Sequence, residues 1–384
     1  MKKISILTST RAEYGLLKPI INKLKEISDF DVYVVVTGAH LSPEFGLTYK
    51  EIAQDGIQID EKIEIILSAD TPSSISKSMG LAMINFADYF SKLIPDMLIV
   101  LGDRYETLAV CCVAMNQRIP IAHLYGGETT EGAVDEAIRH AITKLSYLHF
   151  TSTEEYRRRV IQLGEQPNRV FCVGAIGIEN VLNEKLMSKA ELETSINFKL
   201  DKPYAVITFH PVTLEDNNAA EQIQALLQAC KVFKDMKFIF TKANADANGR
   251  IINQMIDAFV EENDNAVAFA SLGMIRYLSA LKYCTMVIGN SSSALVEAPS
   301  FGVPTINVGD RQKGRIQADS VISCEPTKDK IDKAITLEFK EKAHNTINPY
   351  GDGNTSGKIV AVIKDFLLND KIDLKKKFYD YEVK

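Results

Sequence analysis

Apolar runs of strand length alternate with amphipathic segments of helix length along almost the whole chain. Lys3 to Thr8, Val32 to Thr37, Asp96 to Leu101, Ile119 to Leu124 and Tyr147 to Thr151 are runs of the first kind, with segments such as Ser73 to Leu93 and Tyr105 to Gln117 between them. Continuous apolar strands are buried on both faces, and their alternation with helices predicts a parallel, doubly wound sheet. From Gly174 to Pro203 the pattern loosens into a polar stretch without strand runs, read as an inter-domain connection. Alternation then resumes with Tyr204 to Phe209, Met236 to Thr241, Ala266 to Ala270, Thr285 to Ile288 and Pro304 to Asn307. The expected fold class is α/β, two Rossmann-like doubly wound domains facing a cleft. Residues 1–180 make the first domain and 181–355 the second; 356–384 follow as a helix, from Ser356 to Leu368, and a tail crossing back to the first.

In such sheets ligands bind beyond the carboxyl ends of the strands. The loops at 8–14, 37–46, 102–106 and 125–132 then share one edge, which collects Arg11, Asp103, Arg104 and Glu128. The stretch from His123 to His140, HLYGGETTEGAVDEAIRH, is the most polar of these turns. Val134, Ile138, Ala141, Ile142 and Leu145 recur at helical spacing and predict a helix from about Gly132 to Leu145. Asp135 and Arg139 are i,i+4 neighbours on it, a spacing that by itself reads as a surface ion pair of about 0.3–0.5 kcal/mol. Glu128 differs, because it follows the Gly126-Gly127 turn at a strand end. Carboxylates converging on one edge repel one another, which raises pKa values and suits acid and base work.

The second domain offers IGNSSSALVE, where a strand ends at Gly289 and a helix is expected near Ser292. Hydroxyl residues at a helix N-terminus, with its unpaired N–H groups and dipole, suit a phosphate, and Glu297 beyond them suits ribose hydroxyls. A serine-rich cap with an incidental glutamate has the same spacing. GDRQKGR adds Arg311, Lys313 and Arg315 after the next strand. His210 closes the strand Tyr204 to Phe209; Lys242, Asn244 and Asp246 follow the next one, where a turn built from Asn, Asp and Gly is the alternative.

Composition narrows the classes. With 384 residues the chain exceeds the size at which one core stops growing. A net charge of −6 argues against a nucleic-acid or anionic-membrane surface, so an anionic ligand must be met by placed residues. No apolar run approaches the roughly 18 residues of a membrane span, and MKKISILTST enters a strand directly, so a cytoplasmic location is expected. Six cysteines without a CxxC pair read as reduced core residues, with no metal site. No GxGxxG follows the first strand, and HExxH, GxSxG and P-loop patterns are absent. Tyr14 and Lys18 have the YxxxK spacing of a dehydrogenase, but at the start of the first helix it reads as coincidence.

STRAEYGLL, VLGDRYE, GGE with DEAIRHAITKLS, TSTEEYRRRVIQLGE, FHPVT, GNSSSALVE and GDRQKGR occur in this order across nearly the whole chain. The series resembles the hydrolysing UDP-N-acetylglucosamine 2-epimerases of bacterial sialic acid synthesis and the epimerase half of the bifunctional animal enzyme. The resemblance implies a GT-B-like domain pair, a homodimer or homotetramer, a UDP-sugar substrate and no cofactor. It implies that Arg11, Gly15, Arg104, His210, Asn244, Ser291, Ser292, Glu297 and Arg311 hold UDP. Asp103, Glu128, Asp135 and Arg139, with Glu131, would line the sugar side as the catalytic set. Non-hydrolysing relatives carry HVEAG here, with a glutamate where this chain has Tyr125, so the acid of this chain is Glu128 and transfer from that branch is unsafe. The C2 proton of such a sugar is not next to a carbonyl. Loss of UDP from C1 must therefore drive C2–H removal to a 2-acetamidoglucal, to which water adds, giving N-acetylmannosamine, with Asp103 or Glu128 as the base. A 2-epimerase acting on UDP-N,N'-diacetylbacillosamine shares the loop pattern, and a GT-B glycosyltransferase would share the UDP dock.

Overall fold

The computed structural model describes the chain except residues 70, 131–133, 212–217, 244–248, 340–345, 352, 370–371 and 381–384. It contains two compact units: Met1–Glu128 with Val134–Asn180 and Tyr350–Lys384, and Thr129–Ala133 with Val181–Pro349.

Unit 1 begins with β1 (Lys2–Thr8), α1 (Arg11–Lys25), β2 (Phe30–Thr37), α2 (Tyr49–Gln54), β3 (Glu61–Ile63) and α3 (Pro72–Leu93). It continues with β4 (Met97–Leu101), α4 (Tyr105–Asn116), β5 (Ile121–Leu124), α5 (Asp135–Leu145), β6 (Leu148–Thr151), α6 (Glu154–Gln162), β7 (Val170–Cys172) and α7 (Ile176–Asn183), which runs to the boundary. Its strands are parallel in the order β3-β2-β1-β4-β5-β6-β7, so the order reverses between β1 and β4.

Unit 2 continues with α8 (Lys189–Ile196), β8 (Tyr204–Thr208), α9 (Ala219–Cys230), β9 (Lys237–Thr241), α10 (Gly249–Glu262), β10 (Ala266–Phe269) and α11 (Gly273–Tyr283). Then come β11 (Met286–Gly289), α12 (Ser292–Val296), β12 (Thr305–Val308), β13 (Val321–Cys324) and α13 (Lys328–Glu338). The sheet order β10-β9-β8-β11-β12-β13 places the second reversal between β8 and β11. The last helix, α14 (Thr355–Leu368), belongs to unit 1, where Ile359, Ile363 and Leu367 share a core with Leu17, Ile20 and Leu24 of α1.

The strands expected from apolar runs are present, and three short ones join them at sheet edges: β3, β7 and β13. The polar stretch 174–203 carries α7 and α8, not an irregular connection. α1 shows how a local rule is broken and mended. Thr10 caps it in a capping box with Glu13, yet Pro19 sits inside it and cannot donate to the carbonyl four residues back. That carbonyl belongs to Gly15, and the Asn180 side-chain amide donates to it at 2.8 Å. Among the described residues no helix is long and apolar enough to cross a membrane.

Candidate active site

In unit 1 the chemistry gathers beyond the ends of β4 and β5. Gly102 adopts a left-handed φ of 79°; its N–H donates to Leu124 O at 3.0 Å, and its carbonyl lies 2.8 Å from His123 Nε2. His123 is fully buried in β5, and burial pushes its imidazole down to about 3, so it is neutral at physiological pH. Nε2–H therefore donates to Gly102, while Nδ1 accepts from the Thr143 hydroxyl at 3.3 Å. This clamp turns the chain so that Asp103 leaves the sheet edge.

The loop after β5 is shaped by Gly127. Its φ is 79°, and a Cβ there would lie 2.4 Å from the Tyr156 carbonyl, so only glycine fits against α6. Arg159 donates to the Gly127 carbonyl at 2.8 Å, and the next side chain, Glu128, is buried and accepts from Ser152 Oγ at 2.8 Å. Arg139 joins these parts. It is 1% exposed, pairs with Asp103, and donates from Nη1 to the Glu128 carbonyl at 2.9 Å and to Glu136 Oε2 at 2.8 Å.

Arg139 is thus a buried tie between two loops and α5, and the reading of a surface pair does not hold for it. Asp135 opens α5 half-buried. Glu131, and the expected helix start near Gly132, lie outside the described residues. Arg104 donates from Nε to the buried Glu106 at 2.7 Å, Arg11 and Gly15 are half-buried on α1, and Glu13 is pushed up to about 7 by its burial and by Glu106. Tyr14 and Lys18 both grip Asp55, at 2.6 and 3.0 Å, which gives their YxxxK spacing a structural role.

In unit 2 the strand ends at the reversal carry His210, Ser291 and Ser292. Ser291 caps α12 by accepting from Ser293 N–H, and Tyr277 donates to Ser293 Oγ at 2.8 Å. α12 is a single turn, and Glu297 is its C-cap instead of a residue further along it. Pro299, two residues on, stops the helix there. Arg311 donates to the Asn290 carbonyl at 3.1 Å, and His210 is 7% exposed beside Asn290. Asn244 and Asp246 lie outside the described residues; Lys242 before them pairs with Asp257. Sequence reasoning assigned no role to Ser152, Glu136, His123 or Asn290. Ser152 and Asn290 lie in the TST and GNSSS motifs, and Glu136 is Arg139's i−3 neighbour, one place from the i−4 residue that was read.

Among the described residues no group of three or more His, Cys, Asp or Glu side chains could hold a metal ion. All six cysteines are free; Cys172 is exposed, contrary to a core placement, because β7 is an edge strand.

A profile of the UDP-N-acetylglucosamine 2-epimerase family matches residues 22–364. A Campylobacter jejuni GDP/UDP-N,N'-diacetylbacillosamine 2-epimerase (hydrolyzing) is 44% identical over 99% of both chains. The Escherichia coli polysialic acid biosynthesis protein P7 is 42% identical over 99% of this chain and 98% of its own. A crystal structure of the Methanocaldococcus jannaschii UDP-GlcNAc 2-epimerase in complex with UDP-GlcNAc and UDP superposes with a TM-score of 0.80 at 21% identity, covering 94% of this chain and 99% of that one. At that identity the likeness shows the fold, two parallel-sheet α/β domains of GT-B type.

Proposed function

The chain belongs to the UDP-N-acetylglucosamine 2-epimerase family and is an enzyme of its hydrolysing UDP-sugar class, and from that premise we propose that it converts UDP-N-acetylglucosamine and water to N-acetylmannosamine and UDP. The observation that carries the reading is the buried Arg139, which holds the Asp103 and Glu128 loops in one arrangement.

Chemistry at C2 needs a base there and charge stabilisation on the departing diphosphate. Glu128 takes the C2 proton as UDP leaves C1, giving the 2-acetamidoglucal. Its buried carboxylate follows the Gly127 turn and is fixed by the Ser152 hydroxyl, which donates to it at 2.8 Å. Asp103 and Asp135 deliver and place the water that adds HO at C1 and H at C2, on the opposite face. Arg11, Gly15, Arg104, His210, Asn244, Ser291, Ser292, Glu297 and Arg311 hold the UDP, and Glu131 adds to the acid set. The enzyme works as a homodimer or homotetramer in the cytoplasm, a reducing compartment that six free thiols suit. Light scattering of the purified chain reads the assembly.

A second substrate reading, UDP-N,N'-diacetylbacillosamine, is favoured by the Campylobacter relative at 44% identity. One experiment addresses both: each UDP-sugar is incubated in heavy water without an acceptor. UDP release with deuterium at C2 of a free manno-configured sugar is expected, and the faster substrate is the natural one. Release without deuterium at C2, or only with an acceptor, overturns the reading. So do Glu128→Gln and Asp103→Asn variants that both keep wild-type turnover.

A further inference from the structure

The unit 2 sheet ends its two strands β8 and β9 in the same manner. Beyond β8, the Asn290 side chain faces the backbone of His210: Oδ1 accepts from His210 N–H at 2.7 Å, and Nδ2 donates to His210 O at 2.8 Å. Beyond β9, the Asn253 side chain faces Ala243 in the same two-point way, Oδ1 accepting from N–H at 2.7 Å and Nδ2 donating to O at 3.2 Å. A primary amide offers one acceptor and a donor side by side, the pattern of a peptide group in a β-ladder. Each asparagine therefore extends a strand by one paired residue after its neighbour has turned away.

Asn290 can reach because of Gly289. Its φ is 133°, and a Cβ there would lie 2.0 Å from the Thr208 carbonyl, so any side chain would push β11 off β8. Asn290 N–H continues the ladder to Thr208 O at 3.1 Å. The carbonyl of the same residue accepts from Arg311 at 3.1 Å and from the buried Gln312 at 2.8 Å. One fully buried residue thus sets the backbone at His210, the start of the Ser291–Ser292 turn and the guanidinium of Arg311.

We propose that Asn290 and Asn253 are positioning residues of the nucleotide dock: Asn290 aligns His210, Ser291, Ser292 and Arg311 with the diphosphate of a UDP-sugar, and Asn253 holds the end of β9 at Ala243, beside the strand β8 that leads to His210. The inference rests on the UDP-sugar reading for its ligand and adds the two residues that build the dock. Neither asparagine reaches the acid set of unit 1, so their loss acts on the diphosphate alone, weakening its binding and, to a smaller extent, its departure.

The test uses the full chain with Asn290→Ala, Asn290→Asp and Asn253→Ala. UDP affinity is read by calorimetry, steady-state constants with UDP-N-acetylglucosamine and UDP-N,N'-diacetylbacillosamine, and folding by thermal melts. Asn290→Ala is expected to raise the UDP Kd and the KM at least tenfold, with kcat falling by a smaller factor than either. Asn290→Asp keeps the acceptor but sets a buried carboxylate oxygen against the His210 carbonyl, and is expected to bind UDP no better than Asn290→Ala. Asn253→Ala, half-buried and safer to fold, is expected to raise both constants at least threefold. Folded variants with Kd and KM within twofold of wild type overturn the inference. So does a fall in kcat and melting temperature at unchanged KM, the mark of a structural role alone. If wild type turns over neither sugar but binds UDP, and the variants lose that binding, the dock stands and the epimerase reading falls.

Discussion

Arg139 and Asp103 form an ion pair across two elements far apart in the chain, with the guanidinium 1% exposed and its other nitrogen on the Glu128 carbonyl. Removing one partner of a buried pair leaves the other charge uncompensated. Arg139→Ala should cost about 3–5 kcal/mol of stability in urea unfolding and lower kcat at least a hundredfold. Arg139→Lys keeps the charge but not the planar fork, and one ammonium cannot serve Asp103, Glu136 and Glu128 together. It should recover most of the stability and little of the turnover. Lysine restoring turnover in full would mean that charge, and not the tie between loops, is what matters.

Ser152 donates from its hydroxyl to Glu128 Oε1 at 2.8 Å. A hydrogen bond to a charged group contributes about 1.5–3 kcal/mol. Ser152→Ala should therefore lower kcat about tenfold or more, with KM and UDP affinity within twofold, because the residue bonds to Glu128, the proposed base. Steady-state kinetics beside UDP calorimetry reads the split; an equal change in KM would place Ser152 elsewhere.

The two sheets were legible where strands are central, since β4, β8 and β11 are buried on both faces and show as apolar runs, as does β1 apart from Ser5 and its opening lysines. β3 and β13 were not, because these short edge strands mix charged or polar residues with their apolar ones, nor was β7, which is only three residues long, whereas the four-residue edge strand β10 is AVAF and showed as a run. Loop chemistry split in a similar way. Glu128 and Asp103 stood out by type and position after strands. The i,i+4 spacing of Asp135 and Arg139 pointed at the right helix, but Arg139's long-range bond to Asp103 depends on a fold that no local spacing encodes. Asn290 and Asn253 were invisible for the same reason: an amide that mimics a backbone pair looks, in sequence, like a turn asparagine at 290 and like an ordinary helix residue at 253.

His123 is buried and neutral, with its pKa lowered from 6.5 to about 3 by desolvation. The unfolded chain takes a proton below pH 6.5 and the folded chain does not, so this group's contribution is complete above pH 6.5 and is lost as pH falls toward 3. The slope is about 1.4 kcal/mol per pH unit. Denaturant melts at pH 7.5, 6 and 5 should show His123→Gln losing less stability than wild type over that range. Parallel losses in the two proteins would assign the acid sensitivity to other groups, such as His40, which burial also pushes down to about 3.

Glu165 is 1% exposed and is met by Lys144 at 2.6 Å, Lys376 at 2.7 Å and the buried His149 at 3.1 Å. Burial alone would raise its carboxyl, but the bonds and charges of His149, Lys144 and Lys376 outweigh it and hold the group down at about 2. Its stabilisation is therefore present above the ordinary value of 4.5 and is lost as pH falls through 2. Lys376 also donates to the carbonyls of Lys144 and Ser146, at 3.0 and 2.6 Å, so the C-terminal tail caps the end of α5. Lys376→Ala should cost about 1–3 kcal/mol at pH 7, with the loss on acidification beginning at higher pH than in wild type. Since α5 carries Asp135 and Arg139 at its other end, kcat should fall several-fold without a change in UDP affinity. A variant with wild-type melting at pH 7 and pH 4 would show that Lys144 and His149 suffice for Glu165 and that the tail is not needed to hold α5.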